Sequence, residues 1–318
     1  MSALTDPRKV FEEAFYELAK RDERIVAVSC DSASGGGLGK FKREFPGRFI
    51  EVGIAEQSAI GICAGLAQQG FIPFVVAITP FITMRCYEQL RDDVAYTNMN
   101  IKVVGSGGGL AYSTLGSTHE AIEDIALIRT LPHFSILNPA DGEEVRGALA
   151  FAAGHAGPVY IRMPRQKRPD LCDPQIQRPE IGQAQILREG KDAALLSFGI
   201  LTQEALDAAR LLEEQGVDAA VVHFSSVRPL DGACIRRLAG SVEMLFTLEE
   251  HALTGGFGSA VADCLAAMDR HAPLCKIGVP DGAKETGPFR ELLEWYGLTG
   301  EKIAQTVLEQ FRTRESKI

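Results

Sequence analysis

The 318 residues carry 42 acidic and 33 basic side chains, a formal net charge of −9, at 46% apolar and 24% charged composition. That balance argues against nonspecific attraction to nucleic acid or to an anionic membrane surface, and the composition is that of a folded chain. No uninterrupted apolar run approaches the ~18–20 residues that span a bilayer. The opening MSALTDPRKVFEEAF has no apolar signal core, and the seven scattered cysteines (Cys30, Cys63, Cys86, Cys172, Cys234, Cys264, Cys275) include no CxxC pair, so reduced thiols and a cytoplasmic location are expected.

Residues 7–20 have Val10, Phe11, Ala14, Phe15 and Leu18 at helical spacing. The run IVAVSC (25–30) predicts a strand buried on both faces, and the Gly-rich stretch 34–40 carries no periodic pattern. A strand follows at 49–53, a helix of small and apolar residues at 55–69, a strand at 71–78, a helix at 85–96 and a strand at 100–106. Helix 121–130, strand 134–139, helix 142–153 and strand 158–164 complete the first half. Residues 165–180 lack a period and read as a linker. The alternation then restarts, with strands at 193–199, 218–224, 242–248 and 274–279 and helices at 202–215, 231–238, 257–267 and 300–311. Strand–helix alternation in both halves predicts two α/β domains with mostly parallel sheets, expected at residues 1–166 and 188–318 with 167–187 between them.

In such sheets ligands bind outside the carboxyl ends of the strands. Four junctions of this kind hold chemistry-bearing residues. Glu56 opens the helix after strand 49–53; it either complements the positive helix N-terminus or is a buried carboxyl with a raised pKa used for proton traffic. The loop 105–120 is rich in glycine, which lets backbone approach a ligand, and it ends in His119; it lacks the Lys-Ser/Thr of a phosphate loop. Within it, His119 is either a ligand-facing group or a local cap. Arg165 leaves the strand 158–164 where it either clamps a phosphate or carboxylate or is solvated linker. Glu249, Glu250 and His251 precede glycines at a further junction; the spacing is poor for a metal, and a packing or subunit-contact role is expected.

EVGIAEQ (51–57), TPFITMRCYEQLRDDVAY (79–96), GSTHEAIEDIALIRTLP (116–132), NPADGEEV (138–145) and IRMPRQ (161–166) occur in the order found in transketolases, and TLEEHALTGGFGSAV (247–261) resembles the carboxy-terminal domain of that superfamily. Nearly the whole chain resembles the pyrimidine-binding and C-terminal domains of a thiamine-diphosphate enzyme. The Gly-Asp-Gly motif of the diphosphate-binding domain does not occur in these residues. The resemblance therefore implies one subunit of a split transketolase. Its partner would be an N-terminal subunit that holds the diphosphate and Mg2+, and this chain would supply no metal ligand. It implies, further, that Glu56 hydrogen-bonds the aminopyrimidine ring of thiamine diphosphate and so helps activate the thiazolium carbon. Phe81 and Tyr87 fall in the segment that builds the aromatic pyrimidine pocket. His119, in Gly116-Ser117-Thr118-His119, matches the substrate-contacting histidine of a Gly-Pro-Thr-His motif. Arg165 matches the arginine at the phosphate end of sugar substrates, and Arg85 resembles an anion-binding arginine of deoxyxylulose-phosphate synthases.

Two positions depart from the family pattern. Leu115 stands where transketolases have an aspartate that reads a sugar hydroxyl, and Gly107 where they have a histidine near the substrate phosphate. An altered sugar is expected, because specificity follows polar pairing in the pocket. The expected reaction is transfer of a two-carbon ketol unit from an anionic ketose to an aldose. The alternatives are the β subunit of a 2-oxo-acid dehydrogenase and a non-catalytic subunit that stabilises a partner. The helix 55–69 is apolar almost all round, so a homodimer contact within a heterotetramer is expected.

Overall fold

The computed structural model describes residues 4–171, 180–282 and 285–315. In chain order these begin with α1 (Pro7–Arg21), β1 (Ile25–Ser29), α2 (Gly39–Glu44), β2 (Phe49–Glu51), α3 (Glu56–Gln68) and β3 (Ile72–Ile78). Next come α4 (Thr79–Thr83), α5 (Tyr87–Gln89), β4 (Lys102–Ser106), α6 (Asp124–Arg129), β5 (Ser135–Leu137), α7 (Gly142–Gly154) and β6 (Val159–Met163). The second half contains β7 (Gln185–Arg188), β8 (Ala193–Phe198), α8 (Thr202–Glu214), β9 (Ala219–Phe224) and β10 (Ser226–Arg228). It continues through α9 (Gly232–Ala239), β11 (Met244–Ala252), α10 (Phe257–Leu265), β12 (Leu274–Val279), α11 (Phe289–Trp295) and α12 (Gly300–Glu315).

Local signals explain where these elements start. Pro7 occupies the first turn of α1, where its missing N–H costs nothing, and the Asp6 side chain accepts a hydrogen bond from the Arg8 backbone N–H at 3.1 Å. Lys20 and Arg21 sit in the last turn, opposite the negative end of the helix dipole. The buried face of α1 places the Phe15 ring against those of Phe41 and Phe74. At α7 the Asp141 side chain accepts from the Glu144 N–H at 2.9 Å and caps the helix.

Two mostly parallel sheets result. The first has strand order β10-β5-β6-β4-β3-β1-β2, and the second β12-β11-β8-β9-β7. All pairings are parallel except β10 with β5 and β7 with β9. One face of the first sheet is covered by α1, α2 and α7, which bury Phe11, Phe41 and Leu149. On the other face Ile60 and Ile125 join a cluster that runs on into the second half through Leu196, Phe224 and Phe257. The far face of the second sheet packs on α8, α11 and α12. The two halves thus share a core, and β10, from the second half, is an edge strand of the first sheet.

The expected pattern of two α/β domains with mostly parallel sheets is the one observed. Several elements differ from the sequence-based expectation. The single helix expected at 85–96 is broken. A short helix begins earlier, at Thr79, with Pro80 tolerated in its first turn, and α5 leads into a π-helical stretch over Leu90–Ala95. The expected strand 242–248 runs on to Ala252, carrying Glu249, Glu250 and His251 inside the protein. Three polar residues in a row look like a loop in sequence, but each finds a partner at the seam between the halves. The helices α2 and α11 and the strands β7 and β10 carry too little periodicity for their length to be foreseen. Cys172 lies outside the described residues; Cys30, Cys63, Cys86, Cys234, Cys264 and Cys275 are free thiols. No helix among the described residues is long and apolar enough to cross a membrane.

Candidate functional site

Strands β6, β4, β3, β1 and β2 lie side by side and parallel, so their carboxyl ends share one edge of the first sheet. The four intervals between β6 and β2 span about 19 Å at ~4.8 Å each. The segments leaving this edge carry the candidate residues in spatial order. Glu56 follows β2, Phe81 and Arg85 follow β3, Tyr112 and His119 lie in the loop after β4, and Arg165 follows β6.

Their side chains form one continuous row. Glu56 is 3% exposed at the first residue of α3. Its Oε2 accepts a hydrogen bond from Arg85 Nη1 at 2.7 Å, and its Oε1 has no partner among the described residues. The Arg85 guanidinium lies 4.3 Å from the Phe81 ring centre, a cation–π contact. Phe81 meets the His119 ring edge-on at 5.1 Å, and His119 is 6.1 Å from the Tyr112 ring. Tyr112 in turn lies under the Arg165 guanidinium at 4.4 Å, and its Oη accepts from Arg165 Nη1 at 2.7 Å. His119 Nδ1 shares a 2.9 Å hydrogen bond with the neighbouring Thr118 hydroxyl, so one ring nitrogen is engaged locally. The structure does not bring Tyr87 into this row. Its hydroxyl hydrogen-bonds Thr130, just beyond α6, and its ring packs at the margin of the core.

The Gly-rich loop is fixed at both ends and from behind. The N–H groups of Gly107 and Gly108 donate to the Met163 carbonyl at 3.1 and 3.3 Å, which ties the loop to the strand that precedes Arg165. Gly109 and Ala121 exchange two backbone hydrogen bonds and close the loop on itself. Behind it, Glu250 of β11 accepts from the Leu110 N–H at 2.6 Å. A side chain at Gly109, whose φ is +61°, would collide with that carboxylate: its Cβ would lie 2.4 Å from Glu250 Cδ. Burial pushes the Glu250 carboxyl up to about 7, against the attraction of Arg162 and the Leu110 N–H. Arg162 is itself buried. Its Nε donates to Asp124 at 2.8 Å, and its Nη2 donates to the carbonyls of Ala121 and Glu250. Asp124 also accepts from the Tyr160 hydroxyl at 2.6 Å. On the same strand, Glu249 accepts from the N–H groups of Phe257 and Gly258 at the start of α10; burial pushes its carboxyl, too, up to about 7. Burial pushes His251 down to about 4, in keeping with an Nε2 that accepts from the Ala126 N–H at 3.3 Å.

Thiamine diphosphate, the cofactor the resemblance implies, can be tested against these side chains. An open carboxylate oxygen on a buried glutamate, linked through Arg85 to a half-buried phenyl ring, suits the aminopyrimidine end. For the metal, no group of three or more His, Cys, Asp or Glu side chains among the described residues could hold an ion.

Sequence reasoning missed Tyr112, Asp124, Tyr160 and Arg162, and it singled out Glu250 without its partner Leu110. For Tyr112 a signal existed, since it is the one large ring in a loop of glycines and small residues. For the others it did not, because their partners are far away in sequence.

Comparison with known families gives two matches, the pyrimidine-binding domain of transketolase over residues 5–169 and the transketolase C-terminal domain over residues 182–303. A subunit of the apulose-4-phosphate transketolase of Phocaeicola vulgatus is 37% identical over 302 residues, 95% of this chain and 96% of that protein. A 6-deoxy-6-sulfo-D-fructose transketolase subunit of Clostridium sp. (strain MSTE9) is 37% identical over 95% of this chain and 93% of its own length. Among solved structures, a split-gene transketolase described as an inactive β4 tetramer superposes with a TM-score of 0.87 at 37% identity, covering 96% of this chain and 97% of that one.

Proposed function

The chain belongs to the transketolase family, and from that premise we propose that it is one subunit of a split enzyme that moves a two-carbon ketol unit from an anionic ketose to an aldose, using thiamine diphosphate. The observation that carries this reading is the unbroken row from Glu56 through Arg85, Phe81, His119 and Tyr112 to Arg165. It has a buried carboxylate at one end and a guanidinium at the other, with an imidazole between them.

When bound, thiamine diphosphate supplies the carbon nucleophile and the electron sink for cleaving the ketose C2–C3 bond. The protein's part is binding, orientation and proton placement. Glu56 Oε1 would hydrogen-bond the pyrimidine ring of the cofactor, while Arg85 on Oε2 fixes the orientation of the carboxylate. His119, between Phe81 and Tyr112, presents its free ring nitrogen to substrate oxygens. Arg165 binds the anionic terminus of the sugar. The diphosphate and Mg2+ are assigned to the partner, an N-terminal subunit with the Gly-Asp-Gly motif. The domains divide at residues 1–166 and 188–318, with 167–187 as the connection. Leu115, 53% exposed, offers no hydrogen bond to a sugar hydroxyl, which favours a substrate other than the ordinary pentose phosphates.

The test mixes this chain with such a partner, thiamine diphosphate and Mg2+, and follows ketol transfer from a panel of phosphorylated and sulfonated ketoses to short aldoses. Turnover that needs both chains supports the reading. Turnover by this chain alone, or decarboxylation of 2-oxo acids in place of ketol transfer, counts against it.

A further inference from the structure

At Gly107 the backbone φ is +75°, and a Cβ built there would lie 2.3 Å from Cε2 and 2.7 Å from Cδ2 of Tyr112. The Tyr112 ring therefore occupies the space that a side chain at position 107 would fill. It does so while stacking under the Arg165 guanidinium at 4.4 Å and accepting its hydrogen bond at 2.7 Å. Arg165 is half-buried, and it makes no ion pair with a carboxylate among the described residues, so its charge is free to meet an anion. An arginine on a loop has several rotamers to choose from, and binding an anion through it requires that one be selected. Here the ring and its hydroxyl have already selected it.

We propose that Tyr112, seated in the space left by Gly107, is a positioning residue that sets specificity by presenting the Arg165 guanidinium to a ketose with a terminal tetrahedral oxyanion, a phosphate ester or a sulfonate. This rests on the ketol-transfer reading for the identity of the sugar, but not for the anion seat itself. Three consequences follow from the geometry. The phenol hydroxyl has one job, to accept from Arg165 Nη1, so Tyr112→Phe isolates it. The ring has a second, to stack under the guanidinium, which only Tyr112→Ala removes. Any side chain at position 107 must push the ring aside, so Gly107→Ala acts in large part through Tyr112, with the left-handed backbone adding strain of its own.

The reconstituted two-chain enzyme is assayed with fructose 6-phosphate, 6-deoxy-6-sulfofructose and unsubstituted fructose. A hydrogen bond to a charged group contributes enough that its loss costs about tenfold in binding. Tyr112→Phe should raise KM for the better of the two anionic ketoses about tenfold, change kcat less than twofold, and leave KM for fructose as it was. Whichever anionic ketose has the lower KM in wild type identifies the terminus. The seat is also read without turnover. In the full-length chain, inorganic phosphate should slow phenylglyoxal modification of Arg165, followed by mass spectrometry, and Tyr112→Phe should abolish that protection. Gly107→Ala should reproduce the loss, and its effect should be much smaller when combined with Tyr112→Ala than on its own. If no ketose turns over but phosphate protection depends on Tyr112, the anion seat stands and the ketol-transfer reading falls. Equal KM increases for fructose and the anionic ketoses, or phosphate protection unaltered in Tyr112→Phe, would overturn the proposal.

Discussion

Replacing Glu250 by glutamine should reshape the pH dependence of stability. Glu250 is 2% exposed, and burial pushes its carboxyl from the ordinary 4.5 up to about 7. Between those two values the folded chain holds a proton that the unfolded chain has released. The stabilising contribution is therefore fully present below pH 4.5 and lost as pH rises through 7. A shift of this size corresponds to roughly 3 kcal/mol. Glutamine is neutral at every pH, and its side-chain oxygen can still accept from Leu110, now at 2.6 Å from Glu250. Glu249, raised in the same way, and His251, lowered to about 4, titrate in both proteins and cancel in the difference. The variant-minus-wild-type stability should therefore climb by about 3 kcal/mol between pH 4.5 and pH 8. At a few degrees per kcal/mol, that is on the order of 5 °C in the unfolding midpoint. Midpoints measured at half-unit pH intervals by scanning calorimetry or circular dichroism would show it. Parallel curves for the two proteins would mean that Glu250 ionises as an ordinary carboxylate, and the account of the seam behind the Gly-rich loop would then be wrong.

Glu56→Gln should lower turnover of the reconstituted enzyme by at least ~10²-fold, the lower end of general acid–base assistance. It should barely change thermal stability, because its partner Arg85 is 43% exposed and returns to water; a Glu56→Gln enzyme with near-normal turnover would remove Glu56 from catalysis. Arg165→Ala should raise KM for anionic ketoses at least as far as Tyr112→Phe with little change in kcat, whereas a fall confined to kcat would place Arg165 at the reacting carbon. Titrated calorimetrically, the isolated chain should bind thiamine diphosphate weakly whether or not Mg2+ is present, and tight Mg2+-dependent binding would put the diphosphate site on this chain. The face of α3 turned away from its own domain exposes Gly61, Gly65 and Ile62 (38%), so Ile62→Asp should shift the sedimentation coefficient toward a smaller species; a wild-type monomer at micromolar concentration would refute a self-contact there.

How far the sequence carried depended on whether a residue's partner was local. The alternating strands and helices were legible because each has its own hydrophobic period. The positions of Glu56, His119 and Arg165 at one sheet edge were legible because each follows a strand of a parallel sheet and stands in a recognisable motif. The ion pair of Glu56 with Arg85 joins two loops and has no periodic signature. Glu249, Glu250 and His251 looked like a loop because burial of three polar residues is intelligible only once Leu110, Ala126 and the start of α10 are known to face them. Gly107 was read as a loss relative to the family pattern. That the Tyr112 ring fills its place is visible only in three dimensions.

The strand β10 bears on how this gene could be divided. It is contributed by residues beyond the connection, yet it hydrogen-bonds antiparallel to β5 in the first sheet. A fragment ending at residue 169, where the first family match stops, would leave the β5 edge bare, with unpaired amides and carbonyls open to another chain. Such a fragment should aggregate or swap strands, although it contains every member of the row from Glu56 to Arg165. A chain of this family should therefore resist a cut between its pyrimidine-binding and C-terminal portions, since that cut separates a sheet from its own border.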